Sequence, residues 1–279
     1  MELKYYKATS SDVLMDKFAE NLRAESSIFA PTFVCIGHKS NKDWIIENTI
    51  ERNAIIGNVV FQDPTELIQT IFKIVAPKEE RKEILKSKQL KWIIFSLLDS
   101  IEFKNQFQFI ADYCNKDEQK RFGLAEKTTQ LFISYQEFDT HLLKSFEQDN
   151  FSKEHTDWQA FLWKSIKNMI KDEYLFLHEG IASIEFYLQQ PEISAILKNK
   201  ISSIHCIGPI VYSKDFLKLL KLIGQHINVA LYTTHSTSNT DESRFVSNNN
   251  QFQLNIHKLF QKEEVASIVL DSKVDSNPN

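Results

Sequence analysis

The richest run of chemically useful side chains is His38-Lys39-Ser40-Asn41-Lys42, followed closely by Trp44. A cation, a hydroxyl, an amide and an indole at the start of a helix suit a phosphodiester backbone and a stacked base. The same run also reads as a solvated turn with an ordinary helix cap, with Trp44 in the core. Other chemistries find less support. The eight histidines are dispersed, with no H-E-x-x-H and no histidine–cysteine pair at zinc spacing, so no metal site is expected. His205 and Cys206 adjoin in an extended run and therefore point to opposite faces. No G-x-S-x-G nucleophile elbow occurs. Asp172-Glu173 and Glu263-Glu264 are isolated pairs, as on solvated helix faces, whereas a nuclease needs clustered carboxylates. Lys116, Lys120, Arg121 and Lys127 form a basic stripe, but Asp117, Glu118 and Glu126 interleave with it, which favours a surface ion-pair face.

Glycine usage bears on cofactors. There are six glycines, and no two lie closer than Gly208 and Gly224. A phosphate-cradling loop needs clustered glycines so that the backbone can turn tightly and aim N–H groups at the anion. Neither G-x-x-x-x-G-K-[ST] nor G-x-G-x-x-G occurs, so no nucleotide cofactor is expected.

The elements that must position these residues alternate. Leu3–Lys7 reads as a strand, and Leu14, Phe18 and Leu22 as the buried stripe of a helix over Ser11–Ala24, capped by Ser10 or Ser11. Thr32–Ile36 is a continuous apolar run, as in a strand buried on both faces. Trp44, Ile45 and Ile46 open a second helix, and Asn58–Phe61 is a third strand. Asp63-Pro64 is a cap followed by proline at the first helical position, with Leu67, Ile68, Ile71, Phe72 and Val75 as the buried stripe. Between about Lys86 and Lys198 every periodic segment is helical, with no convincing strand. Strand, helix and strand then return at Ser203–Ile207, Phe216–Ile223 and Ile227–Tyr232.

Alternation of this kind implies an α/β fold with a mostly parallel sheet. A helical block between two parts of one sheet reads as an inserted domain. The expected organisation is a discontinuous α/β domain over 1–85 and 200–240, a helical insertion over 86–199, and a linker or the start of a following region over 241–279. Thr233–Gln253 is rich in Ser, Thr and Asn and reads as a linker. The final residues from Asp271 supply no closing element, as in a chain cut from something longer. In such a sheet ligands meet the carboxyl ends of the strands, here Ala8–Ser11, Gly37–Asn41, Gln62-Asp63, Gly208-Pro209 and Thr233–Ser236.

Composition narrows the classes. The 279 residues carry a net charge of −4, which argues against coating nucleic acid by bulk charge while leaving a local basic groove open. No apolar run approaches the roughly 20 residues of a membrane span, and the N-terminus lacks a signal-peptide pattern. Three widely separated cysteines, Cys35, Cys114 and Cys206, suggest reduced thiols in a cytoplasm.

Several segments, in order, resemble the gamma subunit family of exodeoxyribonuclease V, the RecC proteins. They are Phe29-Ala30-Pro31 with the strand and Trp44 that follow, and Gly57–Phe61 with Pro64. Next come Lys120-Arg121-Phe122 with Leu131, Phe132 and Tyr135, then Trp158-Gln159-Ala160 with Leu162 and Trp163. The last is Ile204–Gly208 with Leu217, Leu220, Gly224, His226 and Ile227, so the likeness covers roughly residues 1–235. It implies a superfamily-1 helicase-like fold of the P-loop type that lacks the P-loop and carries an inserted helical domain. It implies a non-catalytic subunit that joins RecB-like and RecD-like partners, splits the duplex, guides the 3′ strand and scans it for Chi. It also carries Arg121 over as a DNA contact beside His38, Lys39, Ser40, Asn41 and Trp44. Where the enterobacterial members have polar residues for reading Chi, this sequence has Gly37, Lys39 and Asp43, and where they have leucine and tryptophan it has Asp63 and Gln69. The resemblance therefore implies strand binding without implying the same octamer. A protein–protein scaffold with no DNA contact in this fragment is the alternative.

With no glycine cluster to wrap phosphates, isothermal calorimetry is expected to detect no Mg-ATP binding at micromolar concentrations. A saturable heat would contradict this.

Overall fold

The computed structural model describes residues 3–25, 27–52, 56–114, 117–150, 153–234 and 256–270. The expected linker lies largely outside them. In chain order come β1 (Leu3–Ala8), α1 (Ser11–Glu25), β2 (Thr32–Ile36), α2 (Asn41–Glu51), β3 (Val59–Gln62) and α3 (Pro64–Val75). They are followed by β4 (Glu83–Ile84), α4 (Ser87–Leu97), α5 (Ile101–Gln106), α6 (Gln108–Cys114), α7 (Glu118–Phe138), α8 (Thr140–Glu147), α9 (Lys153–Ile170), β5 (Tyr174–Leu175) and α10 (Leu177–Leu188). Last come α11 (Ile193–Lys200), β6 (Ser203–Ile207), α12 (Lys214–Gly224), β7 (Asn228–Thr234) and β8 (Ser267–Leu270). The chain forms two compact units, one from residues 1–77 with 183–279 and one from 78–182.

The first unit is built on a six-stranded sheet of order β3-β2-β6-β7-β1-β8, every pairing parallel. β2 and β6 are direct neighbours, with Val34 opposite His205 and Cys35 opposite Cys206. Both are buried along their whole length, which is why their sequences run apolar instead of alternating. β1, β2, β6 and β7 occupy nearly the segments expected of them. The edge strand β8 has no such signal: four short residues, three of them exposed, carry no pattern distinguishing them from a loop. Cys35, Cys114 and Cys206 are buried free thiols. No helix among the described residues is long and apolar enough to cross a membrane.

Local chemistry sets the helix starts. The Ser10 hydroxyl accepts from the Asp12 N–H at 3.1 Å just ahead of α1, whose Leu14, Phe18 and Leu22 are buried. Asp63 caps α3 by accepting from the Glu66 N–H at 2.8 Å, and the Glu66 carboxylate accepts the Asp63 N–H at 3.2 Å. That reciprocal box with Pro64 at the first helical position satisfies two otherwise unpaired donors. The buried face of α3 is the Leu67, Ile68, Ile71, Phe72 and Val75 stripe.

The second unit is mainly helical. Its core includes Phe103, Phe132, Phe146, Leu162, Trp163 and Phe176. Trp163 stacks on Phe176 with ring centroids 4.0 Å apart and meets Phe132 edge-on at 5.4 Å. Its indole N–H donates to Glu147 at 3.3 Å, so the one polar atom of this buried ring is satisfied. The segment expected to hold no strand does hold β5, whose two residues pair with β4. A two-residue ladder shows no periodicity in sequence.

One polar group lies at the centre of the first unit. His205 on β6 is fully buried. Its Nδ1 is 3.0 Å from the Tyr232 hydroxyl and its Nε2 is 3.0 Å from the Ser203 hydroxyl. Asn21 donates to the same Tyr232 oxygen at 2.8 Å, and Phe18 packs edge-on against the imidazole. A Glu25 oxygen lies 3.5 Å from Nε2, and burial pushes that carboxyl above the usual carboxylate range. Burial without a strong counter-charge drives the His205 pKa from 6.5 down to about 3. The folded protein therefore holds this ring neutral, while the unfolded chain protonates it below about pH 6.5. Stability supplied by the neutral ring is complete above that pH and is lost as pH falls toward 3. Urea unfolding between pH 7 and pH 5 should show stability dropping by up to about 1.4 kcal/mol per pH unit from this group. A His205→Gln variant should lose that part of the slope.

Candidate nucleic-acid interface

Strand register delivers two loops to one place. β2 and β6 end side by side at Ile36 and Ile207. The next residue of each is a glycine, and at both a side chain would be strained. A Cβ on Gly37 would lie 2.1 Å from the Pro209 carbonyl oxygen. Gly208 has φ +90°, a left-handed conformation that side chains disfavour, and a Cβ there would lie 3.2 Å from the Asn41 amide nitrogen. The two turns therefore touch backbone to backbone.

Beside them opens a cleft of about 370 Å³ at the carboxyl edge of the sheet. The start of α1 supplies Ser11, Leu14 and Met15, and α2 supplies Asn41, Trp44 and Ile45. The turn after β6 supplies Gly208 and Pro209, and the end of β7 supplies Tyr232, Thr233 and Thr234. Four of the five strand ends expected to meet a ligand contribute to the cleft or its rim. Of the apolar lining residues, Leu14 was legible only as a core position, Ile45 only as part of a helix start, and Met15 was not singled out. Helical spacing, the signal at Leu14, does not distinguish a core wall from a cleft wall.

Each candidate side chain has a definite place. His38, Lys39 and Ser40 are exposed, Asn41 is half-buried, and Trp44 is 42% exposed on the rim, outside the core. The Ser40 N–H donates to His38 Nδ1 at 3.2 Å, with the Ser40 hydroxyl 2.7 Å from the same nitrogen. Ser40 precedes α2 in helical conformation and its side chain makes no cap bond. The N–H groups of Asn41 and Lys42 donate back to the carbonyls of His38 and Lys39 at 3.0 and 3.1 Å. Asp43 further fills the positive end of the helix. An anion here meets side-chain cations, with little of the helix terminus left to bind it. Lys39 is the freest: its side chain is 80% exposed, with Glu66 3.6 Å away. Lys42 lies over the Phe61 ring at 5.7 Å.

Arg121 belongs to the helical unit. Its side chain is 15% exposed, with the guanidinium paired with Asp99, 3.6 Å from Glu118 and 4.2 Å above the Phe95 ring centre. A hydrogen bond from Lys104 and the charge of Arg121 hold Asp99 below the usual carboxylate range. Of the interleaved acids expected to neutralise the basic stripe, Glu118 meets Arg121, Glu126 lies 3.8 Å from Lys91, and the main partner of Arg121 is Asp99, outside the stripe. Among the described residues no group of three or more His, Cys, Asp or Glu is arranged to hold a metal.

A family model described as RecC, N-terminal domain, matches residues 3–265. The RecBCD enzyme subunit RecC of Escherichia coli (strain K12) is 24% identical over 172 residues, 59% of this chain and 15% of that protein. The subunit of the same name from Buchnera aphidicola subsp. Acyrthosiphon pisum (strain APS) is 25% identical over 168 residues, 58% of this chain and again 15% of the relative.

Gly37→Ala forces a methyl into the Pro209 carbonyl. It should lower stability by about 1–3 kcal/mol in urea unfolding, the cost typical of overpacking. An unchanged midpoint would mean the two turns do not touch.

Proposed function

Because the chain belongs to the RecC N-terminal domain family, we propose that it is a non-catalytic DNA-binding and assembly portion of an ATP-dependent helicase–nuclease. That machine serves double-strand-break repair and homologous recombination in the cytoplasm. RecB-like and RecD-like partners supply ATP hydrolysis and nuclease chemistry. The parallel sheet is a helicase-like domain of the P-loop type without its phosphate loop, and the helical unit is a domain inserted into it.

The observation that carries the DNA reading is the exposed cation and half-exposed indole at the rim of one cleft, at the carboxyl edge of a parallel sheet. Single-stranded DNA binds through phosphate charge and base stacking together. Lys39 exchanges Glu66 for a phosphate, Trp44 offers a face to a base, and Asn41 offers an amide at the cleft wall. His38 and Ser40 hold each other and fix the loop between them. Arg121 contributes by ordering its own helices, or meets the strand only after giving up Asp99. A single lysine contact reads no sequence, so the grip is general, and scanning for a Chi-like sequence requires contacts beyond this loop.

The scaffold reading, with no DNA contact in this fragment, is favoured by one observation. Ile28 and Phe29, ahead of β2 at the amino edge of the sheet, are 85% and 89% exposed.

Titration of oligo(dT) at two salt concentrations separates the two. Lys39→Ala should weaken binding about equally for all sequences and lower the single-strand salt slope by about 0.7. Trp44→Ala should cost about 1–3 kcal/mol of binding with the fold intact. Affinity and slope matching the parent in both variants would remove this loop from the DNA path.

A further inference from the structure

Two helices wall the cleft at the carboxyl edge of the sheet, and one arginine ties them together. α1 supplies Leu14 and Met15 to the cleft, and α2 supplies Asn41, Trp44 and Ile45. Arg52 caps the carboxyl end of α2, and its side chain is 18% exposed. All three guanidinium nitrogens are engaged. Nε donates to the Asp16 carboxylate at 2.5 Å, and Nη2 donates to the Asp12 carbonyl and carboxylate at 3.3 and 3.4 Å. Nη1 donates to the Asn48 carbonyl and side-chain oxygen at 2.9 and 3.2 Å. Arg23, further along α1, donates to the Arg52 carbonyl at 2.8 Å, so this residue is fastened to α1 at both its ends.

The constraint reaches both walls. On α1, Asp12 and Asp16 lie one helical turn apart and bracket Leu14 and Met15 in sequence. On α2, Arg52, Asn48 and Trp44 follow one another in steps of four residues, so they share one side of the helix. The Asn48 amide that accepts Arg52 on its oxygen donates its own N–H to the Trp44 carbonyl at 2.9 Å. The Asp12 and Asp16 side chains are 75% and 68% exposed, so their ion pairs with Arg52 add little stability in water. A planar guanidinium fork nevertheless fixes direction, as a compact ammonium does not. The network therefore sets the orientation of one wall against the other.

We propose that Arg52 is a positioning residue of the cleft. It fixes α1 against α2 and, through Asn48, holds the start of α2 so that Trp44 and Asn41 meet the strand already placed. With its nitrogens committed to Asp12, Asp16 and Asn48, it makes no phosphate contact of its own. The consequence for DNA rests on the strand-binding reading of the cleft, whereas the placing of Trp44 does not.

Titration of the full chain with oligo(dT) at two salt concentrations, well below the unfolding temperature of each variant, reads that consequence. Arg52→Ala should weaken binding about tenfold, because Trp44 and Asn41 must then be ordered as the strand arrives. The salt slope should stay that of the parent, since no phosphate contact is lost. Arg52→Lys should recover little of the loss. Because Arg52 is mostly buried, Asp16→Ala at its exposed partner is the second variant. Removing a carboxylate would strengthen an anion's binding by charge alone, and the positioning role instead predicts weakening by about threefold. In the same proteins labelled with 5-fluorotryptophan, the Trp44 fluorine resonance, assigned by Trp44→Phe, should shift in Arg52→Ala and Asp16→Ala. Those of Trp92, Trp158 and Trp163, all in the helical unit, should stay in place. An unshifted Trp44 resonance, unchanged or tighter binding, a lowered salt slope, or full recovery by Arg52→Lys would overturn the inference. A parent that does not bind oligo(dT) would overturn the proposed function instead, and the Trp44 resonance would then decide the placing by itself.

Discussion

β6 enters the sheet between β2 and β7 and is hydrogen-bonded along both edges. Without it, β3-β2 on one side and β7-β1-β8 on the other would share no ladder. Its five residues are buried on both faces, so its register is held by core packing as well as by hydrogen bonds. A slip of one residue would exchange His205, which meets Phe18, Tyr232 and Ser203 on one face, for Cys206 on the other. The same register brings Ile36 and Ile207 level and so sets Gly37 against Pro209. The cleft beside those turns therefore depends on pairing two segments 171 residues apart in sequence.

That dependence limits how the cleft can hold an anion. In many parallel α/β folds the helix N-terminus after a strand binds phosphate through open N–H groups. Here the first N–H groups of α2 return to carbonyls of their own turn, and Asp43 faces the helix end. Charge must come from Lys39 and Lys42 on the surface. Exposed lysines on solvated stems give salt-sensitive contacts without fixed geometry. Under the proposed function, such a surface lets a strand slide, and this loop guides the strand without reading its sequence.

How much was legible in the sequence follows from burial. Thr32–Ile36 and Ser203–Ile207 were recognisable because a strand covered on both faces must be apolar throughout. Asp63-Pro64 marked a helix start because its chemistry is local. Phe132 and Trp163, two of the residues that carried the family likeness, lie at the centre of the helical unit's core. They bear on fold more than on function. β8, β4 and β5 were not legible, being short and held by pairing partners far away in the chain. For the site, the residue types of the loop were readable and the depth of Trp44 was not. The run Trp44-Ile45-Ile46 does not say which of the three turns inward; Ile45 and Thr49 are the buried residues of α2, and Trp44 stands at the cleft rim.

Hydrogen–deuterium exchange of the full chain, with and without saturating oligo(dT), bears most directly on the claim that the carboxyl edge of this sheet receives a single strand. The account predicts slower exchange confined to residues 37–45 and 207–212, the two turns and the first part of α2, with the helical unit unchanged. Protection confined to the helical unit, or no protection anywhere at saturation, would contradict it.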